Sequence, residues 1–200
     1  MTEIVDWIVE TVGALGYLGI FVMMFLESSL FPFPSEVAMI PAGYLASKEK
    51  MSLIVAFIAG VGGSLAGALF NYILGYKLGR PFLIKYGKYL FIKEGSIDKT
   101  EAFFQKYGHA STFFGRLIPG VRQYISLPAG IGKMPLFSFS IYTFLGASIW
   151  CIVLLSLGYT LGEHEEKIKE VMHYILAMIS VLIVGVFYYY KRKTSLENRF

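Results

Sequence analysis

The chain has 200 residues, of which 56% are hydrophobic and 16% are charged, and its net charge is +4. In soluble domains about a quarter of the residues are charged, so this composition points to an integral membrane protein, in which basic clusters are topology signals more often than nucleic-acid patches. The single cysteine, Cys151, rules out an internal disulfide. The three histidines are scattered without ligand spacing, so we expect no metal. We also expect no other cofactor and no nucleic-acid partner.

The first apolar region, residues 12–46, does not resemble an ordinary membrane span. Its opening run, VGALGYLGIFVMMFL, stops at Glu27 and as a helix would reach only about 22 Å, short of a hydrocarbon core of about 30 Å. Pro32 and Pro34 then interrupt the chain within ESSLFPFPSE, and a second short run ends at KEK. Two short apolar arms around a charged, proline-rich tip predict a re-entrant hairpin, whose irregular backbone has to be covered by protein or to line a wet cavity.

Three later stretches come close to the length of a membrane span: residues 53–76, 136–159 and 171–190. Residues 50–80 align without a gap to residues 133–163, and both segments begin Lys-Met-x-Leu and contain Leu-Gly-Tyr-x-Leu-Gly near their ends. A Pro-Ala-Gly motif precedes each segment, at residues 41–43 and 128–130. The shared order of these motifs predicts an internal duplication, with repeat 1 at about residues 15–80 and repeat 2 at about residues 106–163.

The duplication determines the expected topology. A hairpin crosses the membrane zero times and the helix after it crosses once, so repeat 2 starts from the opposite face, as in the inverted repeats of many secondary transporters. Residues 81–105 are rich in lysine and aromatic side chains and predict an interfacial amphipathic helix, with a solvated basic connector as the alternative. Basic residues at 77–93 and 191–193 fall on one face, which the positive-inside rule makes cytoplasmic.

These patterns predict one all-α integral membrane domain over residues 1–200. It contains an inverted repeat of a re-entrant hairpin plus a transmembrane helix, and it ends in a C-terminal transmembrane helix at residues 171–190 with a cytoplasmic C-terminus. Within the span at residues 53–76, Gly60, Gly63 and Gly67 stand at a spacing that permits close helix packing, and Asn71 is expected to form an interhelical hydrogen bond.

Four charged residues fall within the two predicted hairpins: Glu27 and Glu36 in the first, Arg116 and Arg122 in the second. An unpaired charge at the bilayer centre costs about 2.5–3.5 kcal/mol, so four together would cost roughly 10–14 kcal/mol, which is comparable to the stability of a whole domain. We therefore expect the four side chains to pair with one another or to face a water-filled cavity.

The second hairpin, FFGRLIPGVRQYISLPAG, is suited to binding a phosphate group. Pro119 and Gly120 lie between its two arginines, so a turn there can direct both guanidinium groups into one space. Arginine is planar, always charged and less strongly hydrated than lysine, which favours bidentate binding of phosphate. The expected partner is therefore a membrane lipid with a phosphate head group.

A structural role is the alternative for each of the four charges. Glu36 directly follows Ser35, which could cap a new half-helix, and an acid in that first turn would complement the helix dipole. Glu27, Arg116 and Arg122 could form a salt bridge that only holds the fold together.

The acidic proline hairpin, the Gly-Tyr-x-x-Gly at residues 75–79 and the stretch FFGRLIPGVRQ at residues 113–123 resemble the DedA family of bacterial inner-membrane proteins, part of the wider VTT (SNARE-associated Golgi protein) superfamily. The resemblance covers about residues 15–162, and Arg-x-x-Pro-Gly-x-Arg is its most specific part. It implies two facing re-entrant hairpins and lipid translocation linked to the proton-motive force. Functional positions of the family match Glu27, Arg116 and Arg122, whereas the family's second acid is spaced differently from the first than Glu36 is.

The resemblance implies a transporter, and not an enzyme, that moves undecaprenyl phosphate across the bacterial cytoplasmic membrane for recycling in cell-wall synthesis, with protons as the coupling ion. The alternative is a flippase or scramblase for phosphatidylethanolamine or for phospholipids in general. A lipid phosphatase of the phosphohistidine type needs paired histidines, and the hairpins contain only His109. A cation antiporter is disfavoured by the two arginines, which repel cations. The oligomeric state stays open, with a homodimer as one alternative.

Overall fold

The computed structural model of the protein describes residues 2–29, 34–79, 94–118 and 121–161, and these ranges form helices and short connections without a strand. The helices are α1 (Thr2–Ser28), α2 (Glu36–Ser47), α3 (Leu53–Leu74) with a π-helical continuation (Gly75–Gly79), α4 (Glu94–Leu117), α5 (Val121–Tyr124), α6 (Ser126–Ile131) and α7 (Leu136–Leu161). The all-α fold class is confirmed for this part of the chain. The predictions for Pro32, Pro119, Gly120, residues 80–93 of the connector and the C-terminal helix at residues 171–190 concern residues outside these ranges.

In the part of the chain that the structure describes, three helices are long and apolar enough to cross a membrane: Trp7–Ser28, Leu53–Gly79 and Leu136–Thr160. The second and third coincide with the spans predicted at residues 53–76 and 136–159. The first apolar helix begins at Trp7, well before residue 12, but it is interrupted at Gly16 and does not run unbroken to Ser28. The re-entrant hairpin expected there stays a prediction.

The outer surface of these helices carries large apolar side chains. Examples are Leu18, Ile54 and Phe137, which are 74%, 71% and 77% exposed. A continuous surface of this kind is stable against lipid tails and not against water, so the protein is an integral membrane protein.

α1 is broken at Gly16, whose backbone has φ 60° and ψ −153°. A positive φ strains residues that carry a Cβ, so this break requires glycine. The piece of α1 that follows, residues 17–28, has the same length as the 12-residue α2. Two arms of about 18 Å each therefore flank residues 30–33.

α4 runs without interruption from Glu94 to Leu117. It passes through residues 105–106, where the connector is predicted to end and repeat 2 to begin. The end of the connector and the first arginine of repeat 2 are thus parts of one helix, and the repeat boundaries stay a prediction.

Small residues of α3 allow close helix packing, as predicted. A Cβ placed on Gly63 or on Gly67 would lie 2.2 Å from a backbone oxygen of α1, and one on Gly60 would lie 2.7 Å from a methionine side chain of α2. Real Cβ atoms do not approach backbone oxygens this closely, so α1 and α3 can touch only because these positions are glycine.

The helices that carry the Pro-Ala-Gly motifs, α2 and α6, pack crosswise against the two aligned segments. Gly43 of α2 packs on Gly158 of α7, where the two Cβ positions would lie 2.3 and 2.1 Å from backbone oxygens of the opposite helix. Gly130 of α6 packs in the same way on Gly75 at the end of α3, at 2.1 and 2.3 Å. Gly75 and Gly158 occupy the same position in the aligned segments, and each of them contacts the Pro-Ala-Gly helix of the other predicted repeat.

The helices α2 and α6 also end alike. Glu49 and Lys133 adopt positive φ angles of 59° and 49°, the left-handed conformation that commonly closes a helix. In each case the next amide donates to a carbonyl five residues earlier, at 2.9 and 3.1 Å. The shared cap and the crosswise packing fit the predicted sequence duplication, which stays a prediction.

We expect Gly158→Ala to destabilise the protein. Its Cβ would lie 2.1 Å from a backbone oxygen of α2, so α2 and α7 would have to separate, at a cost of about 1–3 kcal/mol. Gly62→Ala is the matched control, because its Cβ would meet only an aromatic ring at 3.6 Å. Size-exclusion chromatography of detergent-solubilised samples after heating gives both melting temperatures. Equal values for the two variants would contradict the crosswise packing.

Candidate functional site

Glu27 and Arg122 form a buried ion pair. Glu27 lies in the last turn of α1 and is 1% exposed, and Arg122 lies in the short helix α5 and is 8% exposed. Arg122 Nη2 donates to Glu27 Oε1. The pair joins an acid of the first copy to an arginine of the second, 95 residues along the chain.

Ser28 connects the ion pair to α3. Its Oγ donates to Glu27 Oε2 (2.9 Å) and lies 2.6 Å from Ser64 Oγ, so Ser64 is the donor in that second contact. The Ser28 carbonyl oxygen accepts from Asn71 Nδ2 (3.2 Å), which confirms the predicted interhelical hydrogen bond. Both carboxylate oxygens of Glu27 are therefore occupied, one by a guanidinium group and one by a hydroxyl group.

Arg116 reaches the same cluster from the end of α4 and does not pair with a carboxylate among the described residues. It is 3% exposed; its Nη2 donates to Ser126 Oγ (2.7 Å), and its Nη1 reaches Ser28 Oγ at a long 3.5 Å. Its Nε has no partner within the described ranges. The amide of Arg122 donates to the Ile118 carbonyl oxygen (3.1 Å), so the start of α5 lies next to the residue that follows α4.

The cluster contains more positive than negative charge. Arg116 and Arg122 bring two positive charges, and Glu27 is the one acid that pairs with either of them in the part of the chain the structure describes. Burying an uncompensated guanidinium group is unfavourable unless an anion or several hydrogen bonds satisfy it. This arrangement can hold a second anionic group beside Glu27, or one in place of it.

Glu36 is not brought into this network. It is the first residue of α2, half-buried, and it makes no hydrogen bond or ion pair within the described residues. The expectation that the Ser35 side chain caps α2 is wrong: Ser35 has a helical backbone, its Oγ makes no cap hydrogen bond, and it instead accepts from Trp150 Nε1 (3.1 Å). The helical backbone of Ser35 differs from the β-region backbone of a capping residue, and the hydroxyl group instead makes a contact with α7.

The most informative residue missed in the sequence is Trp150. Its ring lies beneath the guanidinium group of Arg122, with 4.9 Å between the Arg122 Cζ and the ring centroid. The serines around the cluster, Ser28, Ser64 and Ser126, were also missed. One signal was available. In the internal alignment Trp150 stands at the position of Gly67, a glycine expected to pack closely, so the two copies differ there.

Comparison with known proteins matches residues 33–160 of the chain to the VTT domain. An "Undecaprenyl phosphate transporter A" of Bacillus subtilis (strain 168) is 36% identical over 100% of this chain and 98% of its own length. An "Alkaline phosphatase-like protein" of Lactococcus lactis subsp. cremoris (strain MG1363) is 36% identical over 96% of this chain and 94% of its own. "Protein DedA" of Escherichia coli (strain K12) is 29% identical over 90% and 82%. No solved structure matches significantly.

Removing one member of the ion pair is expected to destabilise the protein more than removing both. Glu27→Gln leaves Arg122 buried without its counter-charge, and breaking a buried pair in this way costs about 3–5 kcal/mol. Glu27→Gln/Arg122→Gln should therefore be more stable than the two single changes add up to. Melting temperatures of the detergent-solubilised variants test this in a double-mutant cycle.

Glu36→Gln is the matched control, because Glu36 has no partner among the described residues; its change should stay within about 0.5 kcal/mol of wild type. Strictly additive effects of Glu27→Gln and Arg122→Gln would show that the ion pair is not formed in the folded protein.

Proposed function

The chain belongs to the VTT-domain (DedA) family, and from this premise we propose that it is a membrane-lipid transporter that moves undecaprenyl phosphate across the bacterial cytoplasmic membrane, for recycling in cell-wall synthesis. The observation that carries the proposal is the buried excess of positive charge at Arg116 and Arg122, which suits the phosphate of an anionic lipid. The printed name of the 36% identical Bacillus subtilis relative supports this choice of lipid.

In the proposed binding mode the phosphate group takes the place of the Glu27 carboxylate. That carboxylate now bridges Arg122 and Ser28, and Ser28 is in turn the hydroxyl group that Arg116 reaches. A phosphate at this point would contact both guanidinium groups and keep the serine as a further donor. Arginine favours such bidentate contacts, and the polyprenyl tail can stay in the bilayer while only the head group enters.

Glu27 acts in this proposal as the resident competitor of the lipid. Protonation of the carboxyl group from the outer face removes its charge and frees Arg122 for the phosphate. Loss of that proton toward the cytoplasm restores the ion pair and displaces the lipid. Proton movement down the gradient thereby drives release, because Arg122 cannot hold both anions through the same nitrogen atoms.

The proposed architecture is an inverted repeat of two re-entrant hairpins, with the C-terminus in the cytoplasm. Two observations support it: the matched short arms before and after residues 30–33, and the crosswise packing of Gly43 on Gly158 and Gly130 on Gly75. In such repeats the binding site lies near the midplane, where arms from both copies meet. The Glu27–Arg122 pair has this position in our proposal.

A transporter is favoured over an enzyme, although one relative carries the name "Alkaline phosphatase-like protein". The acid of the cluster is engaged by a guanidinium group, and the hydroxyl group of Ser28 donates to that same acid. A serine nucleophile needs a base that accepts its proton and a free approach to phosphorus. Glu27 is in place to accept the proton, but the Ser28 hydroxyl oxygen also contacts Ser64 Oγ and Arg116 Nη1, so its approach to phosphorus is occupied. In our proposal the cluster therefore binds an anion.

Flipping of undecaprenyl phosphate in proteoliposomes with an imposed pH gradient tests the proposal. Wild type should move the lipid, and collapse of the gradient should slow it. Glu27→Gln and Arg122→Ala should each be slower by roughly 10- to 100-fold, the equivalent of a charge-assisted hydrogen bond worth about 1.5–3 kcal/mol.

Two variants are the matched controls and should move the lipid at the wild-type rate. Glu49→Gln changes an exposed acid in the turn after α2, and Lys106→Ala removes an exposed cation of α4. Equal movement of phosphatidylethanolamine, unaffected by the gradient, would replace the proposal with the scramblase alternative. Wild-type rates for Glu27→Gln and Arg122→Ala would overturn the mechanism.

A further inference from the structure

Trp150 contacts Arg122 of the cluster and Ser35 at the start of α2 at the same time. Its ring lies 4.9 Å from the Arg122 guanidinium carbon, and its indole N–H donates to Ser35 Oγ (3.1 Å).

The predicted internal alignment places no tryptophan at the equivalent position of the first copy. The aligned position in the first copy is Gly67, where the neighbouring helix approaches to backbone contact. The two partners of Trp150 are themselves equivalent, since Ser35 and Arg122 each lie six residues before the proline of a Pro-Ala-Gly motif. One side chain of α7 therefore links the matching points of the two copies.

We propose that Trp150 is a positioning residue of the anion site: its indole face holds the Arg122 guanidinium group in place while the partner of that group changes from the Glu27 carboxylate to a lipid phosphate. The exchange of the carboxylate for a phosphate rests on the proposed function. The indole N–H adds a tether that keeps the ring fixed relative to α2.

The chemistry of a cation–π contact explains why a ring suits this role. The face of the indole ring attracts the guanidinium group without accepting a hydrogen bond in the plane of the carboxylate or phosphate. Arg122 can therefore exchange one acceptor for another while it stays over the ring. The contact also stabilises the cation at the moment when it has released the carboxylate and not yet bound the phosphate, because the attraction of the ring is strongest for a desolvated cation.

Intrinsic fluorescence tests the contact between Trp150 and Arg122 without any lipid. The chain has two tryptophans, so Trp7→Phe leaves Trp150 as the single emitter. Adding Arg122→Gln to this variant should change the emission intensity and wavelength of Trp150, whereas adding Lys106→Ala, which removes an exposed cation of α4, should not. Identical spectra with and without Arg122 would overturn the proposal.

Binding of a simple phosphate amphiphile tests the positioning role. Isothermal titration of the detergent-solubilised protein with dodecyl phosphate, below its critical micelle concentration, compares wild type with Trp150→Phe and Trp150→Leu. Trp150→Phe keeps the ring and should stay within about threefold of wild type, while Trp150→Leu should bind about 5- to 30-fold more weakly, the range that corresponds to loss of a cation–π contact.

Trp150→Met is the second variant if Trp150→Leu does not give folded protein, and it should bind as weakly. Equal affinities of Trp150→Phe and Trp150→Leu would reduce Trp150 to a structural residue while leaving the proposed function intact. No binding of dodecyl phosphate by wild type would instead refute the phosphate site, and with it the proposed function and the role of Trp150 in exchange.

Discussion

The ion pair between Glu27 and Arg122 is the interaction on which the rest of the structure depends. An isolated charge at this depth loses several kcal/mol of hydration, and only a partner in direct contact offsets the loss. The two residues lie 95 positions apart, so the pair exists only if α1 and α5 are held together by the other helices. The glycines of α3 allow α1 to approach, and α7 places Trp150 under the guanidinium group. A local pairing requirement thus constrains most of the described fold.

The charge balance of the cluster favours a binding site over a closed salt bridge in our proposal. A purely structural pair would be neutral and fully saturated, whereas here Arg116 adds a second buried guanidinium group whose described partners are neutral hydroxyl groups. One carboxylate that pairs with only one of two buried arginines is a favourable arrangement only as long as no stronger anion competes. In our proposal this balance makes the site responsive both to a lipid phosphate and to a proton.

Several elements were predictable because their signals are local. The spans at α3 and α7 follow from hydropathy over about 20 residues, and the glycines of α3 follow from a spacing that only close packing uses. The duplication predicted from matching motifs stays a prediction; Gly75 and Gly158, which align in sequence, take similar places against α6 and α2. Ser35 was misjudged, because a serine before a helix is a common cap, whereas here it has a helical backbone and its hydroxyl group accepts from Trp150. The break of α1 at Gly16 was not predicted.

The sequence by itself determined that the chain lies in a membrane, that it is helical, and that Glu27, Glu36, Arg116 and Arg122 are too costly to face lipid; it also predicted an internal duplication. These conclusions need only composition, periodicity and the free energy of burying a charge. The tertiary structure decided which charges meet: Glu27 with Arg122, Arg116 with serines, and Glu36 with neither arginine among the described residues. It also revealed Trp150 and Ser28. Partner choice depends on distances across helices that are far apart in sequence, and such distances are set by packing, which no local pattern encodes.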